Sequence, residues 1–344
     1  MRPIHSYFKY TKGIKKRIHS IGFLNTLREL NAYFRFHVSL VKKIGSKPNL
    51  KYHFYIIYTY NKACYFVPDL SQDLLLNILP RQIQWFLLPI TNPSKYKESL
   101  VDKIKFYKLL NNNEIPYPRV FFYVKNNVVF DFHDRIIDDL SSYSGGLYFA
   151  KEIGGSAGEG AHVLSFNGNF SSLKNNFLYQ EVQKNHVAFL NLAPIKAFCT
   201  IRVNGYLTQN KKVEIQSAFL KLSLGDVVDN LSAGIGISVD LETGYLNEYG
   251  YSFYSGKLRQ NKHPLGVTCF KDFKVPYWRE TIELVNKMHF LFPNSRNISW
   301  DIGITDNGPV VIEGNSGGGI FFTQIICKPY FDTVMIQENI SKYK

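Results

Sequence analysis

Trp300-Asp301-Ile302-Gly303-Ile304-Thr305, then Asp306-Asn307-Gly308, then Pro309-Val310-Val311-Ile312-Glu313-Gly314-Asn315 is the stretch on which the fold turns. Two alternating apolar runs around an Asn-Gly turn predict a β-hairpin. With a loop of Asp306 to Gly308, Thr305 faces Pro309 and Asp301 lies directly across from Glu313. Asn315, two residues on, projects from the same face. Opposed carboxylates on adjacent strands repel each other and weaken a sheet. A divalent cation reverses that sign, and Asp, Glu and Asn oxygens are what a hard cation such as Mg²⁺ selects. The pattern alone leaves two readings open, a polar edge hairpin or a cation site.

The rest of the chain sets the frame. At 344 residues it is long enough for two or three compact units. No run approaches the ~18 apolar residues of a membrane span, and the start lacks the apolar core of a signal peptide. Cys64, Cys199, Cys269 and Cys327 are scattered without a CxxC pair, which suits buried thiols in a reducing compartment. The nine histidines contain no HExxH spacing, so zinc chemistry is disfavoured. The net charge of +14 is concentrated at one end. Residues 1–62 carry thirteen Lys or Arg against a single acid, Glu29, which leaves a nearly neutral body behind a basic leading segment.

In that segment Ile14, Ile18, Ile21 and Leu24 fall at helical spacing, as do Leu27, Leu30, Phe34, Val38 and Val41, predicting two amphipathic helices divided at Gly22. Residues 51–67, rich in aromatic and β-branched side chains, predict one or two strands. Pro80, Pro89 and Pro93 mark the end of the first unit. A helix is expected from Ser94, as N-cap, to Asn111-Asn112-Asn113. A hairpin over 119–132, short strands at 146–151 and 177–182, a strand-rich region at 196–250 and a helix over 277–290 complete an α+β pattern.

Lys151 ends one of those strands, just before Gly154-Gly155-Ser156-Ala157-Gly158-Glu159-Gly160. Successive N–H groups in such a turn can converge on a phosphate, with the lysine as a mobile charge for the same anion. The turn matches neither a Walker A nor a Rossmann fingerprint, and on composition alone an ordinary surface loop is the favoured reading.

Taken together, the order of these pieces resembles the ATP-grasp fold, and within it the sugar-transfer-associated branch. Asp102-Lys103 stands thirteen residues before Pro116 in Ile-Pro-Tyr-Pro, Lys151 precedes the glycine-rich loop, and Gln180-Glu181-Val182 follows it. Thr200-Ile201-Arg202-Val203, Asp229-Asn230 through Asp240-Leu241-Glu242-Thr243-Gly244, and the closing Asp301, Glu313 and Asn315 with Ser316-Gly317-Gly318-Gly319 complete the likeness over roughly residues 95–325. The resemblance implies two α/β subdomains gripping ATP. Residues 94–183 would be the small lid subdomain and 184–344 the metal-binding one, after a basic, partly helical region at 1–93.

By the same resemblance, Lys103 and Lys151 hold the α- and β-phosphates, and Gly154, Gly155, Ser156, Gly158 and Gly160 belong to a lid over the triphosphate. The backbone of Gln180, Glu181 and Val182 reads the adenine edge. Arg202 neutralises the transferred phosphoryl group, and Asp301, Glu313 and Asn315 bind Mg²⁺, two ions in most relatives. These roles suit phosphoryl transfer, which asks for positioning and charge neutralisation more than covalent chemistry from the protein. Lys221 is either a third lysine on the phosphate side or a solvated strand residue. The acid that many members place after the hinge, for the ribose hydroxyls, is absent from Lys184 to Phe189, where His186 is a candidate but a lone surface histidine is the favoured reading. His263 and His289 are expected to be structural, and Asp229-Asn230 either meets a ligand or forms a turn.

The implied reaction is ATP-dependent joining of a carboxylate to an amine through an acyl-phosphate. The branch points to an amino acid or amine linked to a sugar acid in surface polysaccharide assembly. Alternatives are an ATP-grasp kinase acting on a hydroxyl and a basic nucleic-acid-binding protein. The latter is disfavoured because the hairpin carboxylates repel phosphates without metal. The basic segment 1–62 suits the anionic inner face of a membrane, so a cytoplasmic protein, peripheral at that face, is expected.

Overall fold

A computed structural model of the protein describes residues 12–43, 50–66, 71–93, 98–155, 160–224, 234–252, 259–327 and 333–340. Among the described residues five helices lead: α1 (Lys12–Ile21), α2 (Phe23–Lys43), α3 (Leu50–Phe66), α4 (Gln72–Leu76) and α5 (Arg81–Thr91). Gly22, at φ +86°, divides α1 from α2 as its position in the pattern predicts. No strand occurs among the described residues of 1–93, which corrects the expectation for 51–67. In α3 the buried positions are Ile56, Thr59, Tyr60, Ala63, Cys64 and Phe66, and the steps of three and four from Ile56 through Thr59, Tyr60, Ala63 and Cys64 belong to a helix. Apolar residues all around α3 hide this period in the sequence. Pro89 lies inside α5. Within this layer Arg17 donates to both Glu29 oxygens, at 2.9 and 2.6 Å, and Tyr60 donates to Glu29 Oε1 at 2.8 Å. The single acid of the basic segment is therefore buried and consumed internally.

A short α6 (Glu98–Val101) precedes α7 (Lys103–Asn112), whose N-cap is Asp102; its side chain accepts from the N–H groups of Ile104 and Lys105. The expected cap Ser94 lies outside the described residues. β1 (Val120–Lys125), β2 (Val128–Asp131), β3 (Leu147–Glu152), β4 (His162–Ser165) and β5 (Phe177–Glu181) form a five-stranded antiparallel sheet in the order β2-β1-β5-β3-β4. Phe122 stacks on Tyr179 at 4.7 Å in its core.

The larger sheet has seven strands: β6 (Thr200–Leu207), β7 (Val213–Ser223), β8 (Gly234–Val239), β9 (Leu246–Ser252), β10 (Arg259–Gln260), β11 (Asn297–Thr305) and β12 (Gly308–Ser316), ordered β10-β9-β8-β7-β6-β11-β12. Alternation in β11 sends Ile298, Trp300, Ile302 and Ile304 into a core shared with Phe106 and Leu110 of α7 and with Val285 and Met288 of α8 (Trp278–His289). The opposite face has two parts. Tyr206 and Phe219 join Tyr33, Tyr60 and Ile83 of the leading helices, and Leu79 between α4 and α5, in a second core, together with α9 (Ile320–Ile326) and α10 (Val334–Ile340). Its remaining positions on β6, β7, β11 and β12 are polar, and they make the site.

The hairpin itself follows the expected pairing by an unexpected route. Thr305 faces Gly308 and Ile304 faces Pro309, so the loop is Asp306-Asn307 and one residue shorter than supposed. A β-bulge then places Ile302 against Val311 and Asp301 against Glu313, with Ile312 as the extra residue. The two deviations cancel, and the carboxylates meet.

Candidate active site

Asp301 is the centre of the polar face, and it is buried. Arg202, directly opposite on β6, donates Nε to Oδ1 at 2.9 Å and Nη2 to Oδ2 at 2.7 Å. Lys221 of β7 brings Nζ to 3.2 Å from Oδ2. Burial works against ionising Asp301, but the Arg202 and Lys221 charges outweigh it and hold the carboxyl well below the usual range. On the other side Asn315 Nδ2 donates to Glu313 Oε1 at 3.0 Å and to Asp301 Oδ2 at 3.3 Å. The repulsion between the paired carboxylates is thus answered by two protein cations and an amide. Lys221, which the sequence leaves between two readings, is nearly buried and stands in the cluster.

Glu313 faces a second group of cations. Lys103, at the start of α7, donates Nζ to the Gly155 carbonyl at 2.5 Å and approaches that of Ile153 at 3.5 Å, so it holds the base of the glycine turn. Burial lowers its pKa, and the Glu313, Glu152 and Asp102 carboxylates oppose that shift. Lys151 donates to Tyr107 Oη at 2.6 Å, and Tyr107 donates to the Ile312 carbonyl at 2.6 Å. That carbonyl belongs to the bulged residue, so the bulge creates the acceptor that anchors Tyr107. Burial pushes the Lys151 ammonium down to about 7, against a rise from Glu313 and a further lowering from Lys103. Tyr107 is the residue the sequence reading missed. It lies four residues from Lys103 on one helix face, but nothing in the sequence separates it from other buried tyrosines.

Around this centre the remaining sequence candidates take their places. Gly154 and Gly155 follow β3, and Gly160 has φ +73°, whereas Ser156 and Gly158 lie outside the described residues. A Cβ on Gly155 would stand 2.7 Å from Glu152 Oε2, so the turn is packed closely at its base. In β5, Gln180 is opposite Phe149 and Glu181 opposite Tyr148, and the Glu181 N–H is taken by the Arg119 carbonyl. Val182 is the first residue beyond the ladder. The Gln180 side chain is buried with Oε1 lacking any hydrogen-bond partner. Such an orphan acceptor, on the strand that carries Leu178 opposite Lys151, fits a donor from a bound molecule.

Other candidates belong to the framework. His186 donates its backbone N–H to the Ile304 carbonyl and brings its ring to 4.0 Å from Asp306, bracing the hairpin turn. His263 and His289 bond to the carbonyls of Ser223 and Arg296. Asp240 caps its own turn through Thr243, and Asp229-Asn230 lies outside the described residues. One further row was not foreseen. Ser299 Oγ donates to Asn204 Oδ1 at 2.5 Å, and Asn204 Nδ2 donates to Ser217 Oγ at 2.8 Å, beneath the glycine tail.

Among the described residues no group of three or more His, Cys, Asp or Glu side chains is arranged to hold a metal ion. A cation at Asp301, Glu313 and Asn315 would need non-protein oxygens to complete its shell. That donor set fits Mg²⁺, which keeps waters and phosphate oxygens and shuns all-protein cages.

Residues 168–332 match the family described as sugar-transfer associated ATP-grasp. No curated protein matches the chain. Among solved structures, the L-amino acid ligase from Bacillus licheniformis is similar over 72% of this chain and 49% of its own, at 14% identity and a TM-score of 0.43. N5-carboxyaminoimidazole ribonucleotide synthetase from Thermotoga maritima gives 68%, 48%, 12% and 0.39 in the same order. D-alanine–D-alanine ligase from Bacillus anthracis, complexed with ATP, gives 71%, 65%, 12% and 0.38. The chain therefore spans about half to two thirds of the length of these structures.

Proposed function

We propose that this protein is an ATP- and Mg²⁺-dependent carboxylate–amine ligase that joins an amino acid or amine to a sugar-linked acid in surface polysaccharide assembly. The observation that carries the proposal is the position of Glu313, with the buried Lys103 and Lys151 acting on it from one side and Asp301, Arg202 and Lys221 beyond Asn315 on the other. An anion chain such as a triphosphate is what two buried lysines and a carboxylate-held cation would share. In this reading residues 94–183 form the lid subdomain and 184–344 the metal-binding one.

Each group has a task. Lys103 and Lys151 bind phosphate oxygens, the glycine turn closes over them and excludes water, and Gln180 with the backbone of Glu181 and Val182 takes the base. Asp301, Glu313 and Asn315 would hold Mg²⁺, which supplies charge neutralisation between phosphates when bound. Exchange of the Asn315 amide ends converts its present donor into a ligand oxygen. The substrate carboxylate attacks the γ-phosphorus and ADP leaves; the amine then attacks the acyl carbon and phosphate leaves. Arg202 and Lys221 stabilise the charge on the transferred group. ATP supply and four scattered cysteine thiols suit the cytoplasm.

The test is product mass spectrometry with ATP, Mg²⁺ and paired panels of amino acids and uronic-acid glycosides. The proposal expects ADP, phosphate and a product lighter than its two substrates by one water. A product heavier than one substrate by a phosphoryl group would instead establish a kinase. A salt-dependent gel shift without ATP turnover would establish the nucleic-acid binder.

A further inference from the structure

We propose that the corner between α1 and α2 is a docking surface for an anionic lipid bilayer. Phe23, Leu24 and Leu27 are 59%, 66% and 46% exposed, although the apolar spacing of the sequence would place Leu24 and Leu27 on buried stripes. The helical stripe turns away at this point. Leu30, Phe34 and Val38 of α2 pack on the second core, but the first turns of the helix present their apolar side chains to solvent. The corner is open, since a Cβ on Gly22 would meet nothing within 4 Å.

The charge around it has one sign. Lys12 and Lys15 are exposed at helical spacing along α1, and Arg28 and Arg35 are exposed along the same stripe of α2 as Leu24. Glu29, the only acid of residues 1–62, is buried against Arg17 and cannot offset them. Apolar side chains at a tip, flanked by outward cations, match a bilayer whose acyl boundary lies beneath anionic headgroups. Among the described residues no helix is long and apolar enough to cross a membrane, and the proposed contact lies at the bilayer surface. A nucleic acid would answer the charge but leave Phe23, Leu24 and Leu27 in water. A second copy would bring two basic segments together across three side chains. This proposal stands independently of the ligase reading.

The experiment is co-sedimentation of the full-length protein with phosphatidylcholine vesicles, with and without phosphatidylglycerol. Binding is expected only to the anionic vesicles, weakening as salt rises. Lys15→Gln with Arg28→Gln should weaken it about 25-fold, since one interfacial cation is worth about fivefold. Phe23→Ser with Leu24→Ser should remove the part that survives high salt, and because both positions are exposed the thermal midpoint should hold. Absence of binding at low salt, equal binding to both vesicle types, or indifference to both double variants would overturn the proposal. So would a dimer on size exclusion that Phe23→Ser dissolves.

Discussion

Nucleotide binding is expected to draw a proton onto Lys151. Burial lowers its ammonium pKa from 10.5 to about 7, so at pH 8 only about one lysine in ten is charged in the free protein. A phosphate oxygen beside it favours the charged form and returns the pKa toward its ordinary value. Binding should then take up about 0.9 proton at pH 8 and about 0.1 at pH 6. Calorimetric titration with MgADP in buffers of different ionisation heat measures this number directly. Lys151→Met supplies the baseline for protons belonging to the nucleotide. Equal uptake by wild type and Lys151→Met at pH 8 would refute the assignment of Lys151 to the phosphates. The same shift acts on stability. Between pH 7 and 10.5 the unfolded chain binds a proton at this lysine that the folded one lacks, so stability rises with pH across that window, by several kcal/mol at most for this group.

Glu313→Gln should abolish turnover and leave the circular dichroism spectrum unchanged; retained activity would remove Glu313 from metal binding. Asp301→Asn takes away the carboxylate on which Arg202 and Lys221 converge and should cost about 3–5 kcal/mol in urea unfolding. Because the Asp301 carboxyl is held below its unfolded value, its contribution is complete above about pH 4 and is lost as the pH falls further, and the acid limb of the wild-type stability curve should flatten in that variant. Gly318→Ala puts a Cβ 2.1 Å from the buried Ser299 Oγ and should destabilise by about 1–3 kcal/mol, read as a lower thermal midpoint. An unchanged midpoint would show that the glycine tail moves aside freely.

The legible and illegible parts of the fold differ for physical reasons. The β11–β12 pair could be read because alternation is a local property that the sheet preserves. The pairing of Asp301 with Glu313 was anticipated, but the bulge at Ile312 was not, because a bulge leaves no mark in composition. Lys151 stands out in the sequence by its place before the glycine turn and Arg202 only through the resemblance, whereas the place of Lys221 depends on a partner eighty residues away in sequence. The helix α3 was read as strand because Tyr, Phe and Ile score well for strands, and only packing against Tyr33 and α1 reveals the helical period. Tyr107 and the Ser299-Asn204-Ser217 row are common residue types whose importance comes entirely from their neighbours.

The second core has a consequence for how this molecule can be divided. Tyr206 and Phe219, on strands inside the family-matched segment, are covered by Tyr33, Tyr60 and Leu79 from outside it. Asn92 is bonded by its amide to the Asn297 carbonyl and to Ser316 Oγ, and it accepts the Asn297 N–H. The leading helices are thus the missing half of an interior, not a detachable appendage. A fragment trimmed to residues 168–332 would present two large aromatic rings to water and should aggregate where the longer chain does not. The protein folds around both halves of this interior at once.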